Sequence, residues 1–148
     1  MNLHPDFKEL LSLFLANDVE FLLVGGYAVS VHGYSRYTED IDLWVRKTPE
    51  NANKILCALD EFGFGGLGLT QATLLQEQGL IRLGHPPAKV EILNWVSGLE
   101  FEEASPNAIQ VKIDGLEIPV ISLTDLIRNK SASGRLKDLG DLENLPEP

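Results

Sequence analysis

The chain has 148 residues, of which 44% are hydrophobic, and its formal net charge is −10. This length and composition predict a globular domain with a buried core, and the negative charge argues against a broad surface for duplex DNA. No run of about 18 apolar residues is present to span a membrane. The N-terminus lacks the basic start of a signal peptide, and the single cysteine, Cys57, cannot form an internal disulfide. We therefore expect a cytoplasmic protein.

The first half of the chain predicts alternating helices and strands. Residues 5–16 carry apolar side chains at helical spacing, and Gly25 and Gly26 end a short apolar strand. Thr48 and Gly63 are suited to cap the start and the end of a later helix. The predicted elements are helix 5–16, strand 20–24, helix 27–32, strand 40–45 and helix 49–62.

The second half adds strands at hairpin spacing and ends in helices. Asp114-Gly115 between two apolar runs is a strong hairpin signal, and Ser122 or Thr124 can begin the helix that follows. The predicted elements are helix 70–78, strands 80–83, 89–95, 109–113 and 116–120, a helix ending near 133, and helix 135–145. Composition does not shift along the chain, so we predict one domain, 1–148, of class α+β with a mixed or antiparallel sheet.

Two aspartates one residue apart are the most informative feature of the chain. Successive strand residues point to opposite faces, so Asp40 and Asp42 project from the same face of their predicted strand. Neighbouring carboxylates repel each other, and a close pair is usually held together by a cation. For a site of oxygen ligands the natural cation is Mg²⁺.

A third carboxylate, Glu91, lies in an apolar strand where a buried acid is costly unless it meets a cation. If this strand lies beside that of Asp40 and Asp42, the three acids meet at one end of the sheet. Such a cluster could bind two Mg²⁺ ions about 3.5–4 Å apart, as in phosphoryl transfer. The alternative is that all three are surface acids.

Other motifs favour structural roles. Residues 63–68 match the glycine pattern of dinucleotide sites but follow a helix instead of a strand, so we interpret them as a loop. The three histidines have no metal-ligand spacing and are expected to be structural, and Cys57 is expected to be buried or half-buried in packing. The phosphate-binding loop of P-loop enzymes is not present.

Gly25-Gly26, then Asp40-Ile-Asp42, then Glu91 in a later strand, resembles the DNA polymerase beta-like nucleotidyltransferase superfamily. Within it, the chain looks like the small minimal nucleotidyltransferases and the abortive-infection nucleotidyltransferase toxins. The segment from Lys130 to Asp141 is similar to their Lys…Arg-x-x-Asp-x-x-Asp motif. The resemblance covers about residues 20–145 and implies the nucleotidyltransferase fold, with helices packed on a mixed central sheet.

The resemblance also implies roles for individual residues. Gly25 and Gly26 would cradle the triphosphate, and Lys130 and Arg36 would contact it as cations. Asp138 would be a further catalytic carboxylate, with Asp141 the less favoured choice for that position. Asp40, Asp42 and Glu91 would bind Mg²⁺, and Glu91 could instead accept the proton of the acceptor hydroxyl. For the C-terminal residues the alternative is a solvated helix face with weak ion pairs.

The resemblance therefore implies a Mg²⁺-dependent enzyme that transfers a nucleoside monophosphate from an NTP to an acceptor hydroxyl. About 25 residues follow the last predicted strand, so the acceptor must bind to this domain alone, to a second protomer or to a partner protein. The acceptor could be an RNA end such as a tRNA 3′ end, a protein or a small molecule. Alternatives are a non-catalytic nucleotide- or protein-binding module, for example in a toxin–antitoxin pair, and a phosphohydrolase.

Overall fold

The computed structural model describes residues 2–148 and places six strands in one sheet. The strands are β1 (Phe21–Val24), β2 (Asp40–Val45), β3 (Leu80–Leu83), β4 (Lys89–Leu93), β5 (Ile109–Ile113) and β6 (Leu116–Val120). Their order across the sheet is β3-β4-β2-β1-β6-β5. The β1–β6 and β2–β4 pairs are parallel and the other three pairs are antiparallel, so the predicted mixed sheet is confirmed.

Helices connect and cover these strands. They are α1 (Pro5–Ala16), α2 (Gly25–Val31), α3 (Pro49–Leu59), α4 (Gln71–Leu75), α5 (Phe101–Ala104), α6 (Leu123–Ser133) and α7 (Leu136–Asn144). A π-helical turn follows α3 at Asp60–Phe64, and short 3₁₀ turns lie at Gly65–Leu67 and Ser105–Asn107. Within residues 2–148, no helix combines the length and the apolar character needed to cross a membrane.

The back of the sheet is covered by α1, whose apolar stripe is fully buried. Phe14 of α1 packs edge to face on Phe21 of β1, with ring centroids 5.5 Å apart. Phe21 and Val24 point to opposite faces because they are three residues apart in a strand. Val24 pairs with Asp42, so α1 packs on the face away from Asp42. We call the face that carries Asp42 the front face.

One end of the front face is closed by α5. Trp44 lies two residues after Asp42, hence on the same face, and its ring meets that of Phe101 edge to face at 5.3 Å. Both side chains are buried. Because α5 packs on Trp44, it does not cover the part of the front face around Asp42.

The ends of β1 and β2 are fixed to α3 by a buried asparagine, Asn51. Its Oδ1 accepts a hydrogen bond from the amide of Glu20 at 2.8 Å. Its Nδ2 donates to the carbonyl oxygens of Glu20 at 3.0 Å and of Arg46 at 2.9 Å. These three bonds tie the residue before β1 and the residue after β2 to α3, so Asn51 helps to hold the acidic strand β2 in place.

The predicted elements agree with the structure, with three corrections. Gly63 interrupts the helical run that begins at Pro49, as predicted, because it has φ +102°. Cys57 was expected in packing but is exposed. The predicted helix 70–78 ends at Leu75 because Gln76 adopts an extended conformation. The four-residue helix α5 was not predicted, since it is shorter than two helical turns and shows no periodicity.

The histidines and the glycine-rich segment behave as structural features. Nδ1 of His4 accepts a hydrogen bond from the amide of Asp6 at 3.1 Å and caps α1. Nε2 of His32 lies 2.7 Å from the carbonyl oxygen of Ile121 and links the end of α2 to β6. Residues 63–68 form helical turns after α3, which agrees with their interpretation as a connection rather than a dinucleotide site.

Candidate active site

The acids of the predicted site share the front face because of strand register. Asp42 of β2 is paired with Val24 of β1 on one side and with Glu91 of β4 on the other, and Glu91 is paired with Arg82 of β3. Directly paired residues project from the same face of a sheet. Asp40 projects from that face as well, since it lies two residues before Asp42. The parallel pairing of β2 with β4 thus produces the predicted convergence of acids.

The two glycines after β1 lie directly against this acidic row. Gly25 has φ +67°, and a Cβ at this position would overlap the carboxylate of Asp42. A Cβ on Gly26 would lie 3.1 Å from the side chain of Thr38 and 3.2 Å from Nη1 of Arg36. Glycine is therefore required at 25 for both backbone conformation and space, whereas a side chain at 26 would meet tight contacts with two side chains.

The surroundings of Asp42 disfavour the charged form of its carboxylate. Its Oδ1 is buried and has no hydrogen-bond partner within residues 2–148. Burial is the largest cause that raises the pKa of Asp42, and the charge and hydrogen bonding of Glu91 and the charge of Asp40 raise it further, to about 7, against an opposing effect of Lys137. An ionised carboxylate with an unpaired buried oxygen is costly, so this position favours a bound cation.

Two cationic side chains of the protein already contact the other acids. The ammonium of Lys89 lies 3.4 Å from Asp40 and 3.7 Å from Glu91, and Nε of Arg82 lies 3.3 Å from Glu91. In the part of the chain that the structure describes, no group of three or more His, Cys, Asp or Glu side chains is arranged to hold a metal ion. The carboxylate donors suit Mg²⁺ in kind, and the buried Oδ1 of Asp42 lacks a partner, so their metal role remains a prediction with chemical support.

Four of the predicted functional residues form a second cluster together with Arg135. We call it the C-terminal ion-pair cluster, and its members are Arg36, Lys130, Arg135, Asp138 and Asp141. The ammonium of Lys130 lies 3.0 Å from Asp138 and 3.1 Å from Asp141. Arg36 donates to both carboxylate oxygens of Asp141 at 2.8 and 3.0 Å, and Nε of Arg135 donates to Asp138 at 2.8 Å. The cluster joins α6, α7 and the loop before β2.

The two aspartates of this cluster stay ionised. Burial alone would raise the pKa of Asp138, but hydrogen bonds from Arg135, Ser133 and Lys130 outweigh it and hold the pKa far below its usual range. Burial likewise acts to raise the pKa of Asp141, and hydrogen bonds from Arg36 and Lys130 lower it. Asp138 is fully buried, a position that does not favour its predicted catalytic role.

A cleft of about 500 Å³ opens on the front face above the acidic row. Of the predicted site residues, its lining includes Gly25, Asp40, Asp42, Glu91 and Lys130. Gly26, Arg36 and Asp138 are not part of that lining within residues 2–148. The structure thus brings the three acids, the first glycine and Lys130 together in one open cavity, and Arg36 and Asp138 lie outside its lining.

The cleft is also lined by residues that we did not predict to be functional. Arg135 and Lys137, at the start of α7, line it, as do Trp95 and Leu80 on the β3–β4 side. Trp95 is 46% exposed and Leu80 43% exposed, which is unusual for large apolar side chains. Leu80 and Ile81 are neighbours in a strand and therefore project from opposite faces, and only Ile81 is buried. This alternation is the sequence signal that could have placed Leu80 on the open face of the sheet.

Solved structures share this fold at low sequence identity. TM1012 from Thermotoga maritima, assigned as a nucleotidyltransferase, has a TM-score of 0.61 at 18% identity, covering 93% of this chain and 88% of that chain. The lincosamide antibiotic adenylyltransferase LnuA, with lincomycin bound, has a TM-score of 0.58 at 18% identity, covering 97% and 96%. ANT(2″)-Ia in complex with adenylyl-2″-tobramycin has a TM-score of 0.58 at 12% identity, covering 93% and 83%.

The sequence itself assigns the chain to a family. It belongs to the family described as nucleotidyltransferase of unknown function (DUF6036), whose sequence profile matches residues 2–145. No curated protein matches the sequence significantly. The predicted membership of the nucleotidyltransferase superfamily and the prediction of an enzyme are thus confirmed.

Proposed function

We propose that this protein is a Mg²⁺-dependent nucleotidyltransferase that transfers a nucleoside monophosphate from an NTP to a hydroxyl of a small-molecule acceptor. The observation that carries the proposal is the buried, unpaired Oδ1 of Asp42, in one row with Glu91 and against Gly25. Mg²⁺ held by Asp40, Asp42 and Glu91 would supply charge neutralisation for the phosphates.

The residues of the chain suit the bond changes of this reaction. The acceptor oxygen attacks the α-phosphorus, the bond from phosphorus to the bridging oxygen breaks, and pyrophosphate leaves with the electron pair. Glu91 is half-buried and lies in the cleft, where a carboxylate oxygen can accept the proton of the acceptor hydroxyl. Gly25, without a side chain, lets a phosphate approach the backbone closely.

The acceptor side of the cleft supports a small molecule. The row next to the acids pairs Leu93 of β4 with Leu80 of β3, and Trp95 follows at the end of β4. This apolar wall lies on the Glu91 side of the acids, away from Gly25, and suits a flat or apolar part of an acceptor. The net charge of −10 opposes an RNA acceptor. Two proteins of the same fold modify antibiotics, which places small molecules among the first acceptors to test.

The test is transfer of label from NTPs that are radiolabelled at the α-phosphate. Wild-type protein is incubated with each of the four NTPs and MgCl₂, and separately with tobramycin, lincomycin, total tRNA and cell lysate. We expect label transfer to a small molecule that is lost in Asp42→Asn. Glu117→Gln is the matched control, because it makes the same change on an exposed position of β6, outside the cleft.

The outcomes separate the alternatives. Transfer that survives Asp42→Asn would overturn the mechanism. Labelled tRNA or a labelled protein in the lysate would identify a macromolecular acceptor instead of a small molecule. Release of nucleotide products without transfer would indicate a phosphohydrolase, and absence of turnover with NTP binding would indicate a binding module. Cytoplasmic location, a toxin–antitoxin context and oligomer formation stay predictions.

A further inference from the structure

The two cations that the sequence assigned to the triphosphate are occupied within the protein. The side chain of Lys130 is 4% exposed and contacts both Asp138 and Asp141. The side chain of Arg36 is 24% exposed and donates to both carboxylate oxygens of Asp141. Two cations here face two anions, so their charges are balanced inside the C-terminal ion-pair cluster. The cluster therefore leaves little positive charge from these residues for a ligand in the cleft.

Arg135 is the cation of the same cluster that reaches the cleft. Its side chain is 64% exposed, and it lines the cleft together with Gly25 and Asp42. Nε and Nη2 of Arg135 donate to the two oxygens of Asp138, at 2.8 and 3.3 Å, and the Arg135 amide donates to Asp138 at 3.2 Å. Asp138 is thus placed to fix the direction of the guanidinium, whose remaining N–H groups are free for an anion.

Lys137 is the second cation on this side of the cleft. It is exposed, lines the cleft, and forms no ion pair with any residue in 2–148. Its charge reaches Asp42, where it acts against the larger effects of burial and of Glu91 on the pKa. An unpaired ammonium opposite the acidic row is well placed to meet a phosphate that approaches Asp42.

We propose that Arg135 and Lys137 bind the polyphosphate of the NTP, and that Asp138 is a positioning residue that orients Arg135. The inference rests on the proposed function and assigns the cationic half of its nucleotide site. A triphosphate beside three carboxylates needs positive charge in addition to a metal ion, and these two side chains face the acids across the cleft. Arg135 supplies directed N–H donors, and Lys137 acts as a point charge.

The test compares binding of nucleotides that differ only in phosphate number. Titration calorimetry with MgCl₂ and no acceptor measures Kd for ATP, ADP and AMP on wild type, Arg135→Met, Lys137→Met and Lys112→Met. We expect each cleft variant to weaken ATP binding about tenfold and AMP binding by less than about threefold, because a charged hydrogen bond is lost only with the outer phosphates. Lys112→Met is the matched control on exposed β5, and its Kd values should equal those of wild type.

Two results would overturn the inference. One is an equal loss of affinity for ATP and AMP in the cleft variants, and the other is unchanged ATP affinity in both. The wild-type titration is repeated with CTP, GTP and UTP, and if wild type binds none of the four NTPs, the proposed function fails as well. If wild type binds ATP but the cleft variants give either of the two results above, the proposed function stands and the assignment of Arg135 and Lys137 is wrong.

The positioning role of Asp138 has a separate readout. Asp138→Asn should weaken ATP binding relative to AMP, and the double variant with Arg135→Met should show no further loss, since both changes remove the same contact. A purely structural role would lower stability and affect ATP and AMP alike. If Asp138→Asn does not fold, Asp138→Glu, which keeps the charge, replaces it in the same cycle.

Discussion

The guanidinium of Arg36 donates two hydrogen bonds to the carboxylate of Asp141, at 2.8 and 3.0 Å, although 105 positions separate the two residues in the chain. Arg36 precedes the acidic strand β2, and Asp141 lies in the last helix, α7. The pair therefore fixes the loop that leads into Asp40 to the end of the chain. Planar, two-point pairing of this kind is a property of arginine that lysine does not share.

Replacing Arg36 with lysine should destabilise the protein in spite of the retained charge. Lysine cannot make both bonds to Asp141, and the buried carboxylate then keeps fewer partners. We expect a loss of about 2 kcal/mol in the free energy of unfolding, measured by urea titration. Arg128→Lys on the exposed surface of α6 is the control and should change stability by less than about 0.5 kcal/mol. Equal stability of the two variants would contradict a structural role for the pair.

Replacing Lys130 with methionine should lower the free energy of unfolding by more than Arg36→Lys does. Asp138 and Asp141 lie within 3.1 Å of the Lys130 ammonium, and both are buried. Removal of the lysine therefore leaves each buried carboxylate with one cationic partner, Arg135 for Asp138 and Arg36 for Asp141. Breaking a buried ion pair on one side typically costs about 3–5 kcal/mol. Urea unfolding and circular dichroism measure the effect. A Lys130→Met protein that unfolds like wild type but no longer binds ATP would restore the predicted triphosphate role of Lys130.

Local patterns made the strands and the acidic row predictable. The alternation in β2 and β4 fixed which face Asp42 and Glu91 occupy, and the short apolar runs fixed the bounds of most strands. The parallel pairing of β2 with β4, which brings these acids together, was a hypothesis that the structure confirms.

The C-terminal residues were harder to assign because their partners are distant in sequence. The spacing of Lys130 and Asp138 is compatible with a phosphate site, with a solvated helix face and with a buried cluster. Only the packing of α7 on α6 and on the loop that carries Arg36 distinguishes these three possibilities. For the same reason the sequence did not single out Lys137, whose position over Asp42 depends on where α7 docks.

A methyl group at Gly25 should damage the site more than backbone strain alone explains. Gly25 and Gly68 have nearly equal φ, +67° and +71°, but a Cβ at 25 overlaps the Asp42 carboxylate whereas a Cβ at 68 meets nothing within 4 Å. Gly68→Ala should therefore cost roughly 1–2 kcal/mol, the cost of the left-handed conformation alone. Gly25→Ala should cost more and abolish label transfer. Transfer by Gly25→Ala at the wild-type rate would show that the close contact with Asp42 is not needed.

Asp42 should make stability fall as pH rises, when divalent cations are removed with a chelator. Its pKa is about 7 in the folded protein against an ordinary value of 3.8, so the folded state holds the proton more tightly. The stabilisation is complete below about pH 4 and is lost as pH rises to about 7. Asp42→Asn, which cannot ionise, should match wild type near pH 4 and exceed it at pH 8 by at most roughly 4 kcal/mol.

The measurement for Asp42 is a set of urea unfolding curves from pH 4 to 8 on wild type, Asp42→Asn and the control Glu117→Gln. The control carries an exposed acid and should follow the wild-type profile. A pH profile of Asp42→Asn parallel to that of wild type would show that the pKa of Asp42 is not raised by folding. Loss of label transfer together with gain of stability would mark Asp42 as an acid kept for function at the expense of the fold.

Lys89 should weaken metal binding in the protein as it stands. Register places Lys89 directly opposite Asp40 and on the same face as Glu91, and its ammonium lies 3.4 Å from the first and 3.7 Å from the second. A divalent cation between these acids must displace the ammonium or bind beside it. Lys89→Met should therefore lower the Mg²⁺ concentration at half-saturation about tenfold, as measured by thermal shift and calorimetry without nucleotide. Lys112→Met should leave it unchanged. Equal Mg²⁺ affinity in Lys89→Met and wild type would mean that the ammonium leaves the acids at no measurable cost, and weaker affinity would mean that Lys89 helps to assemble the site.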